Sequence, residues 1–269
     1  MARWSFTRPA PETNHPRLPM NRRVAIVLAA GKGTRMKSEL PKVLIQVCGR
    51  PMIDYVLDAL GTAGVDEVLV VVGYRADLVR QTLAARRNVR FVDQTEQLGT
   101  GHAVMMCRQA LAGHQGAVLI VTGDSPLAQP DSLARLLAEF DSRRPACLLG
   151  TAHKDNPHGL GRIVRDAAGR FDQIVEEKDA SDEQRRITEV NMSCYVFSGP
   201  ELLYALDHIR PANAQSEYYL TDCPGVLKAA GRPVEALPVL KSIETLSINT
   251  HEELAAVEAV LRANRADEK

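Results

Sequence analysis

Apolar residues in the first half of the chain come in short unbroken runs, separated by stretches with a three- and four-residue rhythm. The runs VAIVLAA (24–30), EVLVVVG (67–73), VRFVD (89–93) and AVLIVTG (117–123) are rich in β-branched residues and have the length of strands. Between them, MIDYVLDALGTAG, RADLVRQTLAARR and GHAVMMCRQALAG space their apolar positions as helices do. Continuous apolar strands alternating with helices imply an α/β fold with a parallel sheet covered on both faces. Ligands of such sheets sit beyond the carboxyl ends of the strands. That rule directs attention to AAGKGTRM, DQTEQLGTG and TGDSPL, each of which follows a strand.

The second half changes character. ACLLGTAHK, GRIVRD, GRFDQIVEE and ITEVNMSCYVFSG read as extended segments, with DAAG as a hairpin turn. Helices are predicted at 199–208, 218–230 and 250–263, the last opened by a capping box of Thr250 and Glu253. Cys223-Pro224 interrupts the middle one, so that helix either starts nearer Thr221 or kinks there. No long Gly/Ser linker divides the chain, and residues 22–269 are expected to form one globule, a substrate lobe added to a nucleotide-binding half. Residues 1–21 mix Pro, Arg and polar residues without the apolar stretch of a signal peptide. They are expected to be a disordered leader, Met20 being an alternative first residue and docking through Trp4 and Phe6 the rival reading.

Charge narrows the partners. With 33 basic and 33 acidic residues, no field across the whole molecule favours nucleic acid or an anionic membrane. The five cysteines are scattered and contain no Cys-x-x-Cys pair, which argues for a reducing cytoplasm and against a zinc site or a disulfide framework. The apolar runs are far below the ~20 residues that span a bilayer.

LAAGKGTRMKSELPKVL (28–44) opens like a phosphate-binding turn, in which backbone N–H groups and a helix N-terminus face an anion. Lys32, Arg35 and Lys42 supply positive charge. The Walker spacing fails, and so does the dinucleotide fingerprint, since Gly31 and Gly33 fit but position 36 is Met. A merely structural tight turn is the alternative for so short a G-x-G. The longer string, a G-x-G-T-R-M loop followed closely by Pro41-Lys42, resembles the signature of the sugar-1-phosphate nucleotidyltransferases. Its form is most similar to that of the bacterial N-acetylglucosamine-1-phosphate uridylyltransferases. EQLGTGHAV, GDSPL, DNPHGLGRIV, IVEEKDASDEQR, EVNMSCYVF, NAQSEYYLTD and SINTHEEL extend the likeness over about residues 23–263.

The resemblance implies a Rossmann-like nucleotidyltransferase fold, with a mixed, mostly parallel sheet flanked by helices. It implies magnesium-dependent transfer of UMP from UTP to N-acetylglucosamine 1-phosphate, giving UDP-N-acetylglucosamine and pyrophosphate. Carried over by motif, the backbone of Leu28, Ala29, Ala30 and Gly31 lines the nucleotide site, with Lys32, Thr122 and Gly123 beside it. Arg35 and Lys42 meet the phosphates, and Gln94 with Gly99-Thr100 reads the uracil edge. Asp124 and Asn249 hold the Mg2+ ion. Gly161, Glu176 and Asn191 contact the sugar and ribose, and Tyr219 and Thr221 help build the sugar wall. The residue types suit the chemistry: a sugar phosphate is already an anionic nucleophile, so what is needed is charge neutralisation and in-line positioning rather than a general base. One carboxylate and one amide oxygen, with phosphates and water, suffice for magnesium.

Other polar residues carry blander expectations. His102 caps or packs, Glu177 and Lys178 are solvated surface, and a structural hydrogen bond is the rival reading of Asn191. Met192 and Cys194 depart from the pattern near the sugar, and Ser247 stands where a glycine is usual, so the choice of sugar stays open. Thymine presents the same edge as uracil, and a non-catalytic sensor of nucleotide sugars is the reading from another class. The hexapeptide repeats of better-known members are not seen, so acetyl transfer, coenzyme A binding and repeat-driven trimerisation are not implied. The oligomeric state is left open.

Overall fold

Burial on both sides is what the unbroken apolar runs require, and the sheet supplies it. In the computed structural model, residues 22–33, 36, 38–213 and 215–267 are described; the expected leader and Arg35 lie outside them. The first half folds as β1 (Val24–Ala29), a short hairpin of β2 (Gln46–Val47) and β3 (Arg50–Pro51), α1 (Met52–Thr62), β4 (Glu67–Val72), α2 (Ala76–Thr82), β5 (Val89–Asp93), α3 (Thr100–Met105), β6 (Ala117–Thr122) and α4 (Pro130–Arg143). The second half follows as β7 (Cys147–His153), β8 (Arg162–Arg165), β9 (Phe171–Val175), α5 (Asp182–Arg185), β10 (Glu189–Ser198), α6 (Gly199–His208), α7 (Asp222–Ala229), β11 (Val234–Leu237) and α8 (His251–Asp267).

The main sheet has the order β11-β7-β10-β6-β1-β4-β5. β1 lies at its centre, parallel to both β4 and β6, and β4 continues parallel to β5. β10 is antiparallel to both β6 and β7, while β11 runs parallel to β7. Six of these seven strands therefore point the same way, and β10 alone is reversed. Along β1, Ala25, Val27 and Ala29 face a core shared with α1 and α4, through residues such as Ile53, Val56, Leu133 and Leu136. Val24 and Ile26 face the opposite core, with Val104, Leu202, Leu206 and Leu227. Each buried Val or Ile side chain contributes about 1.5–3 kcal/mol, so the two-faced burial of β1 and β4 fixes the middle of the sheet.

The four strands expected in the first half are present to within a residue or two. The helix expected over GHAVMMCRQALAG is shorter, Thr100–Met105, and residues 106–113 continue as turns. α7 starts at Asp222 with Thr221 at its N-cap, which places Pro224 in the first turn, where a missing N–H is tolerated. The capping box of α8 forms: Glu253 N–H donates to Thr250 Oγ1 at 3.2 Å and Thr250 N–H to Glu253 Oε2 at 3.1 Å. α4, α5 and β11 have no counterpart among the predicted elements.

β8 and β9 form the hairpin expected around DAAG. Gly169, at φ 76°, donates its N–H to Asp166 O at 2.9 Å, and the Asp166 carboxylate accepts from Ala168 N and Arg170 N. Glu189 ties this hairpin to the main sheet. Its carboxylate accepts from Arg165 Nε and Nη2, both at 2.7 Å, and from Thr151 Oγ1 at 2.5 Å. Burial pushes the Glu189 carboxyl up, but these bonds outweigh it and hold the group below its ordinary value of 4.5. A depressed carboxylate stabilises the fold above its unfolded pKa, and that stability is lost as pH falls through the folded one. Glu189→Gln is expected to lose about 2 kcal/mol at neutral pH. The gap between variant and wild type should narrow as pH falls below the ordinary carboxylate value and through the depressed folded one, as thermal melts into the acid range would show.

Candidate active site

The carboxyl ends of β1 and β6 open on a cleft of about 320 Å³. Leu28, Ala29, Ala30, Gly31, Gln94, Gly99, Thr100 and Thr122 line it, together with Lys42 and Asp124. The strand geometry sets this floor: Gly123 N–H donates to Leu28 O at 2.9 Å, which closes β6 against β1. Gly123 does not line the cleft but lies beneath it, where an added Cβ would meet Val43 at 3.0 Å and Leu28 O at 3.1 Å. Lys32 also stays off the cleft wall, its ammonium lying 5.2 Å from the centre of the Tyr74 ring. The Ala30 carbonyl is held by two donors, Tyr74 N at 3.1 Å and Gln97 Nε2 at 3.0 Å. Gln97 and Glu217 line the cleft as well, and neither was singled out in the sequence.

Gln94 is buried beside the cleft. Its Nε2 donates to Gly99 O at 3.1 Å and meets His102 Nδ1 at 3.2 Å, leaving Oε1 as the end without a hydrogen bond among the described residues. His102 therefore supports Gln94 rather than only capping its helix. Gly99, at φ 102°, has to be glycine: a Cβ there would lie 2.5 Å from Tyr218 O. The close approach lets residues 98–101 bond to Tyr218, with Tyr218 N donating to Leu98 O at 2.8 Å and Gly101 N to Tyr218 O at 2.7 Å.

Three elements far apart in sequence meet at Lys42. Pro41 leads into the turn Lys42–Leu44, Asp124 stands one residue beyond the end of β6, after Gly123, and Asn249 precedes α8. Gly33, at φ 67°, lets the opening loop pass against Lys42, since a Cβ there would lie 2.6 Å from Lys42 Cβ. Lys42 Nζ is 2.6 Å from Asp124 Oδ2 and donates to Asn249 Oδ1 at 3.1 Å. The asparagine is held firmly: its N–H donates to Glu253 Oε2 at 2.6 Å, and its Nδ2 to Ser247 Oγ at 3.1 Å. Ser247 thus turns the amide so that its oxygen faces Lys42. A carboxylate and an amide oxygen converging on one cation form a hard donor set, which suits magnesium completed by phosphate oxygens and water.

The predicted sugar residues gather at the second half of the sheet. Asn191 N–H donates to Gly161 O at 2.8 Å, and a Cβ on Gly161 would stand 3.5 Å from both Asn191 Cβ and Glu176 Oε1. Burial pushes the Glu176 carboxyl up. Glu176, Tyr219 and Thr221 line a hollow of about 630 Å³ that also includes Asp222, whose carboxyl burial likewise pushes up. The segment 217–219 lies between the two hollows, Glu217 on one wall and Tyr219 on the other.

Glu177 is not the solvated surface residue expected. Its carboxylate is 2.6 Å from Nη2 of Arg162, a guanidinium buried to 1% exposure, and accepts from Gly159 N at 3.2 Å. Arg162 also donates to the carbonyls of Leu160 and Arg185. The pair pins the loop before Gly161 to the turn after Glu176. Asn191 has the structural bonds that its rival reading anticipated, with Oδ1 accepting from Ser193 N and Tyr195 OH.

Residues 25–192 match the family model of the MobA-like NTP transferase domain. The chain belongs to that family. Among curated relatives it is 45% identical over 238 residues to the bifunctional protein GlmU of Pelotomaculum thermopropionicum, covering 88% of this chain and 52% of that protein. It is 46% identical over 243 residues to the GlmU of Heliobacterium modesticaldum, covering 90% and 53%. The chain spans about half the length of these relatives. A crystal structure of a candidate glucose-1-phosphate thymidylyltransferase from Bacillus anthracis superposes with a TM-score of 0.72 at 18% identity, covering 89% of this chain and 95% of that one. That likeness bears out the expected Rossmann-like α/β architecture with its mixed, mostly parallel sheet. Among the described residues no helix is long and apolar enough to cross a membrane.

Proposed function

We propose that this chain is a sugar-1-phosphate nucleotidyltransferase that transfers UMP from UTP to N-acetylglucosamine 1-phosphate. The observation that carries the reading is the Lys42 ammonium held between the Asp124 carboxylate and the Asn249 amide oxygen, at a cleft that residues 28–31 also line. A phosphate oxygen of the sugar phosphate attacks the α-phosphorus of UTP, a P–O bond forms, and the bond to the β-phosphate oxygen breaks to release pyrophosphate. Both reactants are anions, so the barrier is dominated by charge repulsion and alignment. Lys42 neutralises the approaching phosphates, and the same loop carries two further positive charges, Lys32 and Arg35. Asp124 and Asn249 would hold a magnesium ion, which would supply positive charge where negative charge builds up on the α-phosphate.

Gln94 supports the choice of base. With Nε2 committed to Gly99 O and His102 Nδ1, its Oε1 is an acceptor suited to the imide N–H of uracil. Thymine shares that N–H, whereas cytosine has a bare ring nitrogen there. Gly161, Glu176 and Asn191 take the sugar and ribose hydroxyls and the acetamido group, with Tyr219 and Thr221 as a wall. The relatives' designation as bifunctional GlmU proteins agrees with uridylyl transfer by the half of their length that this chain matches.

Pyrophosphate release should be measured over UTP, dTTP and CTP against the 1-phosphates of N-acetylglucosamine, N-acetylgalactosamine and glucose, with and without magnesium. The expected result is magnesium-dependent turnover highest with UTP and N-acetylglucosamine 1-phosphate. A preference for CTP, or nucleotide-sugar binding with no turnover on any pair, overturns the reading.

A further inference from the structure

β10 carries an irregularity at the sugar residues. Asn191 pairs with Thr151 of β7 and Cys194 with the adjacent Gly150, so Met192 and Ser193 have no partner on β7. Ser193 takes φ 51° to close this bulge. In a regular strand, side chains four residues apart sit about 13 Å apart along the chain. The bulge brings two such residues together: Tyr195 OH lies 2.9 Å from Asn191 Oδ1.

The partners settle which end of the amide faces which way. Ser193 N–H, 3.3 Å from Asn191 Oδ1, can only donate, so the atom opposite it is oxygen. The Tyr195 hydroxyl then donates to the second lone pair of the same atom. Nδ2 makes no hydrogen bond among the described residues, and it is not one of the buried atoms sealed from solvent without a partner. The exposed end of Asn191 thus offers donors only, beside Gly161 and the Glu176 carboxyl. Tyr195 itself is fully buried, its ring packed 6.0 Å from that of Phe197, and cannot reach a ligand.

We propose that Tyr195 is a positioning residue for the sugar substrate: its buried hydroxyl holds Asn191 with the oxygen inward, so that Nδ2 is presented to an acceptor oxygen of the ligand. The proposal rests on the reading of Asn191 as a sugar-site residue. Without the phenol oxygen, the amide keeps only the long bond from Ser193, and its terminal torsion, which has two broad wells, can turn. A turned amide puts an oxygen against the ligand's oxygen. The substrate class selected is one with a carbonyl or hydroxyl oxygen at that point of the sugar.

Tyr195→Phe removes one oxygen and keeps the packed ring. It is expected to raise KM for N-acetylglucosamine 1-phosphate about tenfold, with kcat and the KM for UTP within about twofold of wild type. In an Asn191→Ala background the same change should add nothing, because there is no amide left to hold. An unchanged sugar KM, a KM for UTP raised equally, or the same increment in the Asn191→Ala background overturns the proposal. Should Tyr195→Phe fail to fold, Asn191→Asp gives Tyr195 and Ser193 the same oxygen and presents no N–H. It should raise the sugar KM, and an unchanged KM overturns the proposal. If the wild type turns over no sugar phosphate, the proposed function falls and this inference with it; if it does and Tyr195→Phe matches it, this inference alone falls.

Discussion

Lys42→Ala is expected to lower turnover about a thousandfold, or about 4 kcal/mol of transition-state stabilisation, while the protein remains folded. Lys42 is the cation that both Asp124 and Asn249 face, at 2.6 and 3.1 Å. It is partly exposed, and so is Asp124, with side-chain exposures of 19% and 28%. Losing such a pair costs the fold about 1 kcal/mol, because water can hydrate the carboxylate left behind. The losses in stability and in rate should therefore separate cleanly. Steady-state kinetics with a thermal melt check both, and near-normal turnover of a folded variant sinks the assignment of Lys42.

Asp124→Asn is expected to be as damaging to rate and different in kind. The carboxylate is the one charged oxygen donor of the proposed metal pair, and an amide of the same shape cannot replace its charge. Turnover should fall by a factor on the order of a thousand at ordinary magnesium. The magnesium concentration for half-maximal rate should also shift upward, which Lys42→Ala should not cause. Manganese binding followed by electron spin resonance gives a readout independent of catalysis: weaker for Asp124→Asn than for wild type. An unmoved magnesium midpoint would place the metal elsewhere.

The sheet was legible because its middle strands are apolar on both faces, and only a parallel sheet with two helical layers buries such strands. β11 was not: four residues bracketed by prolines, half exposed, carry too little pattern. α4 is a different case, since Leu133, Leu136, Leu137 and Phe140 have helical spacing with Pro130 at the start, and the signal was there to be read. The phosphate loop was readable as a string, yet nothing in the sequence says that Lys42 reaches Asn249 across 207 residues. Ser247, noted only as a departure, orients Asn249 by accepting from its amide. Glu177 was misjudged because its partner, Arg162, is 15 residues away and buried, and a run of charges gives no sign of one such contact. Arg35 falls outside the described residues, and its part in the site is a proposal from the loop alone.

The last helix gives the proposed site an unusual dependence on distant chain. The family model ends at residue 192, within β10, and 57 residues before Asn249. α8, whose first turn holds Asn249 through Glu253, is docked farther along by Glu258, which accepts from the backbone N–H of Cys48 at 2.8 Å in the hairpin that follows Lys42. The segment that the family model matches and the segment that builds the proposed site are thus different lengths of polypeptide. A gene fragment trimmed to the shared family segment would still spell out the phosphate loop, Lys42 and Asp124. It would lack one of the two oxygens facing that lysine, together with the brace that keeps the two ends of the chain in register.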